Sequence, residues 1–211
     1  LVELDGRQLP PCNFVTQDRQ GRTWITVSTR LQPRSLGYNA RCNDGFIILV
    51  DSHGARIVAD GLGYTNECVI DGSGQYLYVN ETFVRRLTRF RLHPDGSLTD
   101  RTVVTTFGAG TFTSIVSNRL LRVQPDGTQT IWLEDVDAAH LDKVEAAWQQ
   151  DRMGRAELDG VQSRRLRNIS SLAFGGPDLT EGYLGCLLGD AIGRLRMPVA
   201  GLAPVHWHYD D

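Results

Sequence analysis

The side chains that spacing places to act together in this chain are amides and hydroxyls rather than catalytic acids. Asn13 is followed five residues on by Asp18 and eight on by Gly21, and Asn66 by Asp71 and Gly74 at the same intervals. A weaker copy has Ser170 where the asparagines stand, followed by SLAFGGPDL at 171–179. Amide and hydroxyl oxygens are hard, neutral ligands, suited to Ca²⁺ or Mg²⁺ only when carboxylates join them. Alone, Asn, Asn and Ser are too weak to hold a cation. The competing reading is that each asparagine only closes a turn on its own backbone. Two asparagines at one repeat position shift the balance toward a site.

Other constellations carry less. His206 and His208 would share one face if their segment were a strand, as metal ligands must, but they sit in a polar C-terminal tail with no third ligand. Arg164, Arg165 and Arg167 read as a solvated loop, with contact to an anionic substrate as the alternative. His140 and Trp148 fall on one predicted helix and serve either a lid or plain packing. Asn168-Ile169-Ser170 matches the N-glycosylation pattern, a weak signal alone. No GxSxG, HExxH, P-loop or dinucleotide fingerprint is present, which demotes serine hydrolase, zincin, NTPase and Rossmann chemistry. Cys12, Cys42, Cys68 and Cys186 show no CxxC spacing and are expected as buried free thiols in a reducing, cytoplasmic setting, with disulfides or a nucleophilic thiol as the alternatives. A periplasmic or secreted location stays open, because the chain begins at Leu1 without an initiator Met.

The elements that must position these residues are short strands. Alternating or β-branched runs at 23–27, 46–50, 76–79 and 120–123 are separated by Asp-Gly or His-Gly pairs, the signature of an all-β chain. One segment differs. Leu141, Val144 and Trp148 recur at helical spacing, predicting one inserted helix over about 137–153 with Asp137 as N-cap and Gly154 as its stop. The asparagine phrase, its aromatic strand and a further strand pair turning at His93-Pro94-Asp95-Gly96 or Gln124-Pro125-Asp126-Gly127 form a four-strand unit, the sequence form of a propeller blade. The first residues of inner strands in such a fold converge on one axis.

The repeat is short of one half-blade near Phe112. The gene product is therefore expected to carry roughly 13 to 20 more residues between Phe112 and Ser114, beginning with Asp-Gly, and a further blade or more before Leu1, since six blades of about 45 residues need about 270.

Residues 66–90 with their Pro-Asp-Gly turn, and SLAFGGPDL followed by Gly182-Tyr183-Leu184, resemble the gluconolactonase, senescence-marker-protein and luciferin-regenerating-enzyme family. The likeness extends over nearly all of residues 1–205, least over the helical insert. It implies a single six-bladed β-propeller over 1–211, with one divalent cation in its channel: calcium first, with Mg²⁺, Mn²⁺ or Zn²⁺ as alternatives. Asn66 matches the metal-binding asparagine and Asn13 the substrate-holding asparagine one blade earlier. The family's N-terminal Glu and its Asp have no counterpart, so no catalytic residue is assigned. Pro11 stands where relatives tend to carry Arg. Arg30 and Ser170 are the other substrate-binding candidates.

The implied activity is hydrolysis of a small lactone, most simply a sugar-acid lactone, by Lewis-acid activation of the ring carbonyl and of a bound water, a carboxylic ester hydrolase reaction. The rivals are a non-catalytic binding or scaffolding module and a phosphotriester hydrolase on the same site. The composition agrees with a folded, small-molecule enzyme. The chain has 211 residues, 41% hydrophobic, and its 22 Lys plus Arg against 25 Asp plus Glu give no drive toward nucleic acid or membrane. A monomer or homodimer is expected.

Overall fold

The computed structural model describes residues 1–112 and 115–208, the side chains at 206 and 208 excepted. The chain is mostly β, built of antiparallel sheets, and it divides into two compact units. Unit 1 is Leu1–Phe107 with Pro125–Gly127, and unit 2 is Gly108–Gln124 with Thr128–Asp211. Among the described residues no helix is long and apolar enough to cross a membrane.

Unit 1 opens with a small hairpin, β1 (Glu3–Leu4) and β2 (Arg7–Gln8). Two four-stranded meanders follow. The first is β3 (Cys12–Gln17), β4 (Thr23–Val27), β5 (Gly45–Asp51) and β6 (Gly54–Leu62). The second is β7 (Thr65–Ile70), β8 (Tyr76–Glu81), β9 (Arg86–Leu92) and β10 (Leu98–Thr106). Each strand pairs with the next in sequence, as the four-strand repeat predicts.

The repeated spacing Asp-x₂-Gly is explained by the first hairpin of each meander. Asp18 Oδ1 accepts from the amides of Gln20 and Arg22, and Asp71 Oδ1 from those of Gln75 and Tyr76. Gly21 and Gly74, at φ of 77° and 70°, return their N–H groups to the carbonyls of Asp18 and Asp71. Only glycine takes that backbone region without steric cost.

Alternation along β5 explains the core. Ile47 and Leu49 face one way, into a cluster with Trp24, Leu62, Cys68, Leu77, Val79, Phe90 and Leu92 that joins the two meanders. Phe46 and Ile48 face the other way with Val27, and Leu4 and Leu9 cover them. A strand buried on both faces reads as a continuous apolar run, which is the FIILV of 46–50.

Unit 2 holds a two-stranded sheet, β11 (Arg119–Val123) and β12 (Gln129–Glu134), and a three-stranded one, β13 (Ile169–Gly175), β14 (Glu181–Cys186) and β15 (Gly193–Arg196). Between them lie α1 (Ala138–Gln149) and α2 (Arg155–Asp159). Asp137 caps α1 as predicted, accepting from His140 N–H at 3.1 Å. Gly154 does not stop it. The helix ends at Gln149, and the Gly154 N–H instead donates to Glu157 Oε2 at 2.7 Å, opening a second helix that the sequence reading left out. Val144 is the fully buried residue of the predicted apolar stripe. Trp148 meets Phe112 edge-on at 5.9 Å, and His140 Nε2 pairs with the Glu157 carbonyl at 2.7 Å, so both helix side chains pack within unit 2. The proposed gap falls on residues 113 and 114, outside the described residues.

Two buried asparagines brace unit 2. Asn118 Oδ1 accepts from Ile169 N–H at 2.9 Å, and its amide donates to Ser163 Oγ and to the Leu166 carbonyl. Asn168 Oδ1 accepts from Val116 N–H at 2.7 Å, and its amide donates to the Leu158 carbonyl at 2.8 Å.

Candidate functional site

The three residues that the repeat equates share one backbone feature. On β3, Cys12 faces Val27 and Phe14 faces Thr26, so Asn13 is an additional residue. On β7, Thr65 faces Glu81 and Cys68 faces Val79, which sets Asn66 and Glu67 against the single residue Asn80. On β13, Ile169 faces Cys186 and Ser171 faces Gly185, leaving Ser170 extra. Each is a β-bulge near the start of the first strand of its sheet. Bulges bend the strand and re-aim a side chain, and they recur beside active sites.

In unit 1 the two bulges bring their asparagines together. Asn13 Nδ2 donates to Asn66 Oδ1 and, at 3.3 Å, to the Thr65 carbonyl. Asn66 Nδ2 donates to Thr82 Oγ1 at 3.0 Å. Neither amide closes a turn on its own backbone. That local work is done by Asp18 and Asp71, so the turn reading of the asparagines gives way to a joined, half-buried pair.

Two carboxylates flank this pair in the fold, and the sequence reading singled out neither. Glu67 shares the bulge of Asn66, and burial pushes its carboxyl up to about 7. A carboxyl titrating near neutrality is the type of group that general acid–base chemistry uses. Its sequence signal was a lone acid inside an otherwise strand-like run. Glu81 is fully buried opposite Thr65. Burial pushes its carboxyl upward, yet hydrogen bonds from Arg86, Thr88 and the Gly63 N–H outweigh that and hold it below the usual carboxylate range. It is a structural clamp.

The remaining expectations fall elsewhere. Arg30 is bidentate to Asp60 at 2.8 and 2.9 Å and lies 4.1 Å from the Phe46 ring centroid, so its terminal nitrogens already serve an ion pair. Ser170 belongs to unit 2, where its hydroxyl donates to the Gly185 carbonyl at 3.4 Å. The amides of Arg165 and Leu166 are held by Asp135 Oδ2, and the three arginine side chains of that loop are exposed, the solvated reading. Asn168 is fully buried, so the sequon is not a surface loop. Residues 205–208 form a 3₁₀ turn rather than a strand, and the side chains of His206 and His208 lie outside the described residues.

All four cysteines are free, but only Cys42 and Cys68 are buried; Cys12 is exposed and Cys186 half-buried. Burial pushes the thiols of Cys42 and Cys68 up to about 11 and about 12, far from a nucleophile's range.

Among the described residues no group of three or more His, Cys, Asp or Glu side chains gathers closely enough to hold a metal. The asparagine pair offers neutral oxygens alone. The residues described therefore do not by themselves make a divalent-cation site, and no catalytic step is derived through one.

Bulged first strands, a convergent amide pair and four-strand meanders define a β-sheet protein with a polar pair at the first strands of two successive sheets. The chain matches the SMP-30/gluconolactonase/LRE-like family over residues 5–185 and belongs to that family. Solved structures agree on the fold. A luciferin-regenerating enzyme superposes with a TM-score of 0.59 at 13% identity, over 92% of this chain and 64% of its own. A gluconolactonase from Xanthomonas campestris gives 0.57 at 15% identity, over 94% and 60%. Regucalcin from Agrobacterium tumefaciens, a calcium-binding protein, gives 0.52 at 16% identity, over 85% and 55%. The chain thus spans less than two thirds of the length of each. No curated protein matches it in sequence.

Proposed function

We propose that the whole protein is a six-bladed propeller of this family that hydrolyses small lactones, sugar-acid lactones first among them, and that it needs a divalent cation, calcium before Mg²⁺, Mn²⁺ or Zn²⁺. The observation that carries this reading is the meeting of Asn13 and Asn66 on equivalent bulges of successive four-stranded sheets. Family membership supplies the reaction class. Asn66 would give one neutral ligand, with the charged ligands supplied from outside the described residues. Asn13, tied to Asn66 and to the Thr65 carbonyl, would hold and orient the substrate beside it.

The test is a pH-stat assay of aldonolactone hydrolysis by full-length protein before chelation, after it, and after divalent ions are restored. Loss on chelation and recovery on metal are expected, and Asn66→Ala should lower activity about a hundredfold, as lost metal-site contacts commonly cost 10- to 100-fold. Hydrolysis indifferent to chelation removes the metal requirement. No hydrolysis with metal present leaves a non-catalytic binding module.

A further inference from the structure

We infer that a small cavity in unit 1 seats a carboxylate of the substrate, so that the lactone taken by this protein carries a second, free acid group; this rests on the lactone reading above. The cavity is an open one of about 80 Å³, lined by the exposed Pro11, Leu31, Gln32 and Arg34 and floored by the buried Ser28 and Thr29. One water needs about 10–15 Å³ by the same measure, so this is room for a carboxylate and the carbon that bears it. Its lining is linked to the asparagine pair through the main chain. Pro11 lies two residues before Asn13, the Ser28 carbonyl accepts from Thr65 N–H at 3.2 Å, and the Thr65 carbonyl accepts from Asn13 at 3.3 Å.

The lining is chemically one-sided. Arg34 Nε donates to the Tyr64 hydroxyl at 2.9 Å, and Tyr64 is fixed in turn by edge contacts with Tyr38 at 5.3 Å and Phe83 at 4.7 Å. A guanidinium has five donors in a planar fork; with the Tyr64 and Tyr38 hydroxyls both accepting, donors remain for a ligand. Ser28 is 2% exposed, and its hydroxyl has no hydrogen-bond partner although the residue lines the cavity. A buried, unpaired hydroxyl is unfavourable until something accepts from it.

No acid lines the space. Asp44, which Thr29 Oγ1 reaches at 2.7 Å, is also held by the Arg30 N–H at 2.9 Å. A pre-aligned cationic fork and a waiting hydroxyl, walled by Pro11 and Leu31, match a planar anion on a carbon arm. Pro11 brings no charge to this space, and Arg34 supplies it from the loop after β4.

Titration calorimetry without cation and without lactone reads this cavity apart from catalysis. The probes are glucarate, a six-carbon sugar diacid, and glucitol, the uncharged polyol of equal length. Full-length protein should bind glucarate at least tenfold tighter than glucitol, and Arg34→Met should erase that preference. Ser28→Ala removes an unpaired hydroxyl, so it should keep the melting temperature of the parent while weakening glucarate three- to tenfold; it decides the matter if Arg34→Met does not fold. Equal affinity for the two probes, no binding of either, or a preference unchanged in the folded variants overturns the inference. A preference that persists in a protein without lactonase activity removes the catalytic reading and leaves the anion seat. Lactonase activity without the preference does the reverse.

Discussion

Asparagines stand at or just before the first strand of a sheet in both units, and they are used in opposite ways. Asn13 and Asn66 of unit 1 lie inside bulges, half-buried, with their amides joined to each other. Asn118 and Asn168 of unit 2 immediately precede β11 and β13, are fully buried, take φ of 44° and 66°, and bond to main-chain groups of other segments. Unit 1 has two complete four-stranded sheets to hold it and can leave its asparagine amides to one another. Unit 2, with sheets of two and three strands, relies on side-chain amides to join its loops. One residue type near the start of a sheet's first strand is thus a brace where strand pairing is thin and part of a polar pair where pairing is complete.

The sharpest way to break this contrast is Asn168→Ala. It orphans the Val116 N–H and the Leu158 carbonyl and forces alanine into the left-handed region, for an expected loss of about 4 kcal/mol in urea unfolding. Asn13→Ala should cost under about 1 kcal/mol, since its contacts are half-exposed. Equal costs would dissolve the division of roles.

The next effect is pH-dependent. Glu67 titrates near 7 in the folded chain against about 4.5 unfolded. Below 4.5 both states are protonated and stability is full. Between 4.5 and 7 the unfolded chain ionises first, so stability falls as pH rises. Glu67→Gln should therefore gain about 2 kcal/mol over the parent at pH 8 and nothing at pH 4. A gain of equal size at both values would show that packing, not charge, is responsible. Smallest is Arg155→Ala on α2, whose pair with Asp159 at 2.8 Å is exposed; thermal melts should show a change under about 0.5 kcal/mol.

The features legible in the sequence are those set by local chemistry. Asp-x₂-Gly is a turn that closes on itself, so Asp18 and Asp71 announced the four-strand unit and, with it, the equivalence of Asn13, Asn66 and Ser170. Asp137 announced α1 for the same reason. The bulges were not legible, because a register shift belongs to two strands and no single strand records it. Arg30 stands in the sequence as a free cation beyond the 23–27 run, but its fork is drawn to Asp60, thirty residues on. The place of Arg34 beside Pro11 is not legible in the sequence, because it depends on the path of the loop after β4 and on Tyr64 from the turn between β6 and β7. The five-residue helix α2 is too short for periodicity to show.

The burial of Asn168 bears on how the protein can be made. Its Nδ2, the atom to which a glycan would be attached, is the donor to the Leu158 carbonyl inside unit 2. In a secretory host, oligosaccharide transfer acts on the emerging chain before that bond exists. A sugar placed there would sit where the fold admits no solvent, and unit 2 could not close around it. Recombinant expression through such a route should give glycosylated, misfolded chains, while Asn168→Asp would escape modification only by giving up the amide donor that the brace requires.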